Sequence, residues 1–390
     1  RPRSSPVKTF AMIERVAGAV GIGLGPLAGG LLLEWFSWWM VFMINVPFAA
    51  LALLLGVRLV PESRDPHPGS FDLLGAALST AGFTVLVYAI IEAPSRGWSS
   101  ALVLESLTAS VVLLAGFLLW ELRSAEPMLD LSFFRNASFS VGTASVSIAF
   151  FGLMGGSFGL TQYLQFAHGY SAIQAGGIMS SMALGLMLGS GSSSGAVSLL
   201  GTSRVVAAGL GGLAVLLAVP LLWDTSTGAP VLVAWFFGLA LTVGWAMAPA
   251  TAAVIGAVPA AKSGVASATN TVSRMVAGAL GVAVMGSLVS SLYSNEVGGK
   301  LDSLPSGAQA QADNSVGAAS AIAAHLPPEF ASRVLAVSGD AFTQAMGYGL
   351  LVGAGCAAVA ALLVLRFLPA HVAHESESEV IEAIPQEQAA

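Results

Sequence analysis

The chain has 390 residues, of which 55% are hydrophobic and only 9% charged, and its formal net charge is −6. Soluble domains carry about 25% charged residues. This chain therefore has too few to cover a water-facing surface, and its acidic balance excludes a nucleic-acid binder. The single cysteine, Cys356, leaves no disulfide framework and no cysteine metal site, and it reads as a small packing residue.

A bilayer core needs about 20 apolar residues per helix. Ten stretches meet that length: 11–33, 38–59, 71–93, 101–121, 139–165, 172–198, 205–223, 230–255, 267–291 and 343–368. The expected fold is an all-α polytopic membrane protein. The opening segment 1–10, RPRSSPVKTF, is basic and polar and leads into a full-length span, unlike a signal peptide. Within the first span, Val20 to Leu31 reads VGIGLGPLAGGL, with Gly21, Gly25 and Gly29 four apart on one helix face. In water each interior glycine costs roughly 1 kcal/mol and a proline about 3 kcal/mol. In a bilayer, small residues admit a neighbouring backbone, and that neighbour can satisfy the carbonyl that proline frees. Trp35, Trp38 and Trp39 follow between spans one and two, and Trp98 and Tyr170 lie in later connections, as expected of an interfacial belt. The stretch 292–342 is rich in Ala, Ser and Gly and reads as a long extracytoplasmic segment, either short surface helices or irregular chain. The tail 369–390 is acidic and reads as solvated chain.

Lys and Arg set the orientation. With the N-terminus in the cytoplasm, Arg1, Arg3, Lys8, Arg58, Arg64, Arg123, Arg135, Arg204, Lys262 and Arg366 fall inside. Arg96, Lys300 and Arg333 fall outside. Ten against three is a clear bias, and an even span count returns the C-terminus to the cytoplasm.

Enzymatic signatures are weak. Gly256 to Ser263 approximates a P-loop, but Ala261 stands in for a glycine, Pro259 interrupts it, and a membrane span precedes it. Gly191-Ser-Ser193-Ser-Gly195 matches G-x-S-x-G, yet none of the five histidines lies within a span to serve as its base. No metal or cofactor site and no catalytic residue is read. Intramembrane polar groups are functional candidates by default. They are Glu14 and Arg15 at the start of span one, Asn45 in span two, Gln162 and Gln165 near the end of span five, and Asn270 with Arg274 one helical turn apart in span nine. Arg274 admits two readings, a pathway residue or a side chain snorkelling back to the headgroups. No span carries an acid near its centre.

VGIGLGPLAGG resembles the antiporter signature of the major facilitator superfamily: Gly21, Gly25, Pro26, Gly29 and Gly30 match, while Met12 replaces an earlier glycine. FSWWMVFMINVPFAALALLLGVRLVPESRD (from Phe36), FDLLGAAL (from Phe71), RGW (from Arg96), Glu121 to Phe139, TQYLQFAHGYSAIQAG (from Thr161) and GVASATNTVSRMVAGALGVAVMG (from Gly264) follow in order. Together they resemble the fourteen-span drug:proton antiporters of the EmrB/QacA type, with Trp39 where an arginine is usual. The resemblance implies that the ten spans are family spans 5–14. Residues 11–59 would then be the last two helices of an N-terminal bundle, 71–121 two linking helices, and 139–291 with 343–368 a C-terminal bundle. The family's coupling carboxylate would belong to earlier spans, which accounts for the missing mid-membrane acid. Implied function is proton-coupled efflux of small amphiphilic drugs across a bacterial cytoplasmic membrane. The implied partners are protons, such substrates and lipid, with no nucleotide, and a monomer is the working expectation. A truncated non-transporting protein, an exporter of a natural product or lipid, and a hydrolase using Ser193 stand as alternatives.

Overall fold

The computed structural model describes residues 25–59, 72–124, 127, 129–259, 262–301, 304 and 306–369. Glu14, Arg15, Gly21, most of the expected first span and the acidic tail lie outside the described residues. No strand occurs among those described.

The first helix, α1, is described over 25–35. A short turn, α2 (Met40–Met43), leads into α3 (Asn45–Leu59), and no residue from Met40 to Arg58 is buried. Next come α4 (Leu73–Arg96) and α5 (Ala101–Glu121), which pack as a hairpin. Asp72 caps α4 by accepting from the Gly75 amide at 2.8 Å, and the Ser110 hydroxyl bonds the Gly82 carbonyl across the hairpin at 3.0 Å.

The remaining helices form one bundle. α6 (Ala137–Gln162) is capped by Asn136 and ends in a π-turn, Tyr163–Ala167. α7 (Ala172–Met179) starts on a capping box between Ser171 and Gln174. α8 (Ser181–Leu200) continues it after a break at Ser180. Gly201, at φ 85°, turns the chain into α9 (Thr202–Ala218). α10 (Ala229–Gly256) packs on α6, α8 and α9, and its Trp235, Phe236, Leu239 and Val243 meet the α9 stripe Val206, Leu210, Leu213 and Leu217 in the core. α11 (Ser263–Val297) packs against α6 and also receives α4, so the hairpin is docked on the bundle through it. α12 (Ser306–Asn314) and α13 (Val316–Ala323) are short, and α14 (Pro328–Phe367) packs on α6, α9 and α11.

Nine helical segments among the described residues are long and apolar enough to cross a membrane. They coincide with nine of the ten expected spans. Two helices run well past theirs. α14 has 40 residues, roughly 60 Å at 1.5 Å per residue, about twice a bilayer core. Its first turns lie before the apolar run that begins near 343, and α13 packs on it. Much of 292–342 is therefore helical: the end of α11, then α12, α13 and the start of α14.

Candidate functional site

Three places bring polar or backbone chemistry together. The first is the seam between α1 and α7. A Cβ on Gly30 would lie 2.6 Å from the Ala172 carbonyl oxygen and 2.9 Å from the Ile173 Cα. A Cβ on Gly176 would abut the Pro26 carbonyl, 2.9 Å from its carbon. Two glycines thus let two backbones touch, and Gly30 is the only buried residue of the described α1. The other described signature glycines, Gly25 and Gly29, have nothing within 4 Å of a Cβ. The proline-bearing turn itself is what Gly176 admits.

A second place is the α6–α11 seam. These helices run parallel: a Cβ on Gly155 would lie 2.6 Å from the Gly281 carbonyl oxygen, and one on Gly278 would lie 3.0 Å from the Phe150 ring. That register brings Thr143 level with Asn270. Both are buried, and Thr143 Oγ1 and Asn270 Oδ1 have no hydrogen-bond partner. Arg274 lies one turn further on, with its guanidinium carbon 5.2 Å from the centroid of the Phe150 ring. The same Phe150 ring also faces Gly278. Nε of Arg274 is buried without a partner, while the residue as a whole is half-buried; a cation over a ring gains about 0.5–2 kcal/mol, depending on how far it is desolvated.

A third cluster sits where α6 ends. The His168 ring stacks on Tyr170 (centroids 5.3 Å, planes 5° apart) and meets Tyr163 edge-on at 4.7 Å. Tyr163 stacks on Trp223 at 5.6 Å, and its hydroxyl donates to the Asp224 carbonyl at 2.6 Å. Burial lowers the His168 pKa, with the Asp224 carboxylate opposing, and Nε2 has no partner. The neutral imidazole is thus favoured in the folded state. An unfolded chain takes up the proton first as pH falls through the ordinary histidine value of about 6.5. Stability from this cluster is accordingly full above that value and declines below it. The thermal midpoint of the wild type should drop between pH 7 and pH 5, and His168→Phe should flatten that drop. An equal slope in both proteins would show that His168 does not carry it.

The other expected residues are dispersed. Gln162 lines a cavity at the far end of the same α6–α11 seam, and Gln165 is half-buried in the π-turn. Asn45 is exposed at the first position of α3, apart from both. Ser193 is buried, and its hydroxyl donates to the Ser190 carbonyl at 2.7 Å, an intrahelical bond. The aromatic cluster was not singled out from sequence, although Tyr163, His168 and Tyr170 stand close together in it. No group of three or more His, Cys, Asp or Glu that could hold a metal occurs among the described residues.

A polytopic helical bundle whose helices meet backbone to backbone through glycine belongs to the integral membrane proteins. More specifically, the chain belongs to the Major Facilitator Superfamily, which its residues 10–282 match. It is 33% identical over 369 residues to the multidrug efflux pump LfrA of Mycolicibacterium smegmatis, covering 92% of this chain and 70% of that one. It is 32% identical over 374 residues to the tetracenomycin C resistance and export protein of Streptomyces glaucescens, covering 92% and 69%. It is also 32% identical over 279 residues to the multidrug resistance protein Stp of Mycobacterium tuberculosis, covering 71% and 51%.

Proposed function

We propose that the protein is a proton-coupled exporter of small amphiphilic compounds, of the fourteen-span antiporter type, acting by alternating access in a bacterial cytoplasmic membrane with its N- and C-termini inside. The observation that carries this reading is the α1–α7 seam, where the Gly-Pro signature turn touches Gly176. In this reading α1 and α3 correspond to family spans five and six, α4 and α5 to the linking pair, and α6 to α14 to the C-terminal bundle. Rocking of two bundles about a central site requires a contact that closes tightly and reopens, and a glycine seam meets that need. Of the signature Gly21, Gly25, Pro26, Gly29 and Gly30, Pro26 and Gly30 form the α1 side of that seam. The relatives named for multidrug efflux and for tetracenomycin C export support the substrate class. A natural product of the producing organism is the second reading, favoured by the latter name.

The test is reconstitution of the native protein, purified from its own membrane, into liposomes with an imposed pH gradient and an internal pH-sensitive dye. Ethidium should release protons in proportion to its own movement. Ethidium movement without proton release would remove the coupling, and neither flux would remove export. Arg274 with Asn270 is read as a polar wall of the pathway, and hydrogen bonds to a charged group contribute about 1.5–3 kcal/mol. Arg274→Ala should therefore reduce ethidium-driven proton release roughly 10- to 100-fold. Unchanged flux and unchanged pH dependence would return Arg274 to a packing role.

A further inference from the structure

A cavity of about 410 Å³ lies between α4, α6, α11 and α14, within the range of roughly 300–1,000 Å³ typical of small-molecule sites. Ile91 and Pro94 of α4 form one wall, and Phe158 of α6 with Phe342 of α14 bring aromatic faces to it. Its roof is the joint between α12 and α13 at 314–316. That roof is tied down: the Tyr293 hydroxyl donates to the Ala312 carbonyl at 2.9 Å, and the Ser294 hydroxyl to the Asp313 carbonyl at 2.7 Å. Among the described residues, no Asp, Glu, Lys, Arg or His lines the cavity. One lining group stands out. Ser287 is 5% exposed, and its Oγ has no hydrogen-bond partner. A buried hydroxyl without a partner carries a desolvation penalty that a bound molecule's polar group removes, and a hydroxyl can both donate and accept.

We propose that this cavity is a binding site for an uncharged amphiphile, a molecule of two or so rings with a single hydrogen-bonding group that engages Ser287. A charged ligand is disfavoured because no counter-charge lines the walls and burying an unpaired charge is expensive. The site is separate from the Arg274 region, 13 residues away along α11, or roughly 20 Å. It does not rest on the export reading, since its walls include no residue of the α1–α7 seam.

The probe is benzophenone, an uncharged two-ring ketone whose carbonyl is its one hydrogen-bonding group and whose excited state inserts into nearby C–H bonds and favours methionine. Met285 and Met346 both line the cavity. The native protein in nanodiscs is irradiated with the probe and the adducts are mapped by mass spectrometry, with no transport involved. Labelling should concentrate on Met285 or Met346, saturate, and be displaced by 4-phenylphenol but not by the tetraphenylphosphonium cation. Ser287→Ala should weaken saturable labelling about 3- to 10-fold while leaving the thermal midpoint unchanged or raised, because it removes a hydroxyl that has no partner in the unliganded protein. Gly159→Leu should abolish labelling: a Cβ there meets only Met346 Cγ, at 3.5 Å, so the added side chain fills the space. Should Gly159→Leu fail to fold, Ser287→Ala decides alone. Adducts scattered over lipid-facing residues, labelling unaffected by Ser287→Ala, or equal displacement by the cation would each overturn the proposal.

Discussion

Gly176→Leu is expected to reduce substrate-driven proton exchange about 5- to 150-fold while the protein still inserts and purifies. A side chain at 176 meets the Pro26 carbonyl and the Leu27 Cα, the latter at 3.3 Å. Both are backbone atoms, so neither can rotate away, and the helices must part. Overpacking of this kind costs about 1–3 kcal/mol. If the seam closes in one state of the cycle and opens in the other, the whole cost falls on the closed state. An equilibrium shifted by that amount moves about 5- to 150-fold. Gly30→Ala attacks the same contact from the other side, with its Cβ 2.6 Å from the Ala172 carbonyl oxygen, and should act in the same direction. Gly177, next in the chain and exposed, has nothing within 4 Å of a Cβ, so Gly177→Ala should exchange normally. The measurement is proton release on ethidium addition to proteoliposomes, normalised to protein inserted. Equal exchange in Gly176→Leu and Gly177→Ala would show that the seam does not control the cycle.

The membrane helices were legible because each is an apolar run with polar ends. The expected 101–121 coincides with α5, Ala101–Glu121, where Ser100 and the Glu121-Leu-Arg123 corner mark the limits. Helix that projects beyond the apolar run was not legible. The first turns of α14 contain Glu329, Arg333 and Asp340, and an Ala-rich polar stretch reads equally as loop. The four-residue glycine spacing identified a face of α1 but not what packs there. Gly30, one position beyond that face, makes the backbone contact, meeting Ala172 and Ile173 at the start of α7. Asn270 and Arg274 were legible as one face of a helix. Thr143 joins them only through the register of two helices more than a hundred residues apart. The cluster of Tyr163, His168 and Trp223 is hidden for the same reason: it assembles from a helix end and a distant turn.

Gly189→Leu should be strongly destabilising. On α8, Cβ atoms at Gly185 and Gly189 would abut the Phe237 and Leu241 carbonyl oxygens of α10. From the other side, a Cβ on Gly244 would lie 2.7 Å from the Ser190 nitrogen. Lipid supplies little hydrophobic drive between helices, so close packing and interhelical hydrogen bonds hold them together. Separating α8 from α10 also strains the bond from Trp245 Nε1 to Ser192 Oγ, 2.9 Å, and that from Ser181 Oγ to the Val233 carbonyl, 3.1 Å. We expect a loss of about 3 kcal/mol or more, read as a lowered unfolding midpoint in detergent or as failure to yield a monodisperse protein. Gly191 and Gly195 lie on the same helix with nothing within 4 Å of a Cβ. There alanine should be neutral or stabilising by up to about 1 kcal/mol, since glycine is the poorer helix former. Helix propensity alone predicts that alanine helps at all four positions. Packing predicts that it helps at Gly191 and Gly195 and harms at Gly185 and Gly189. Stabilisation by Gly189→Ala would therefore show that the α8–α10 seam is not closed by glycine.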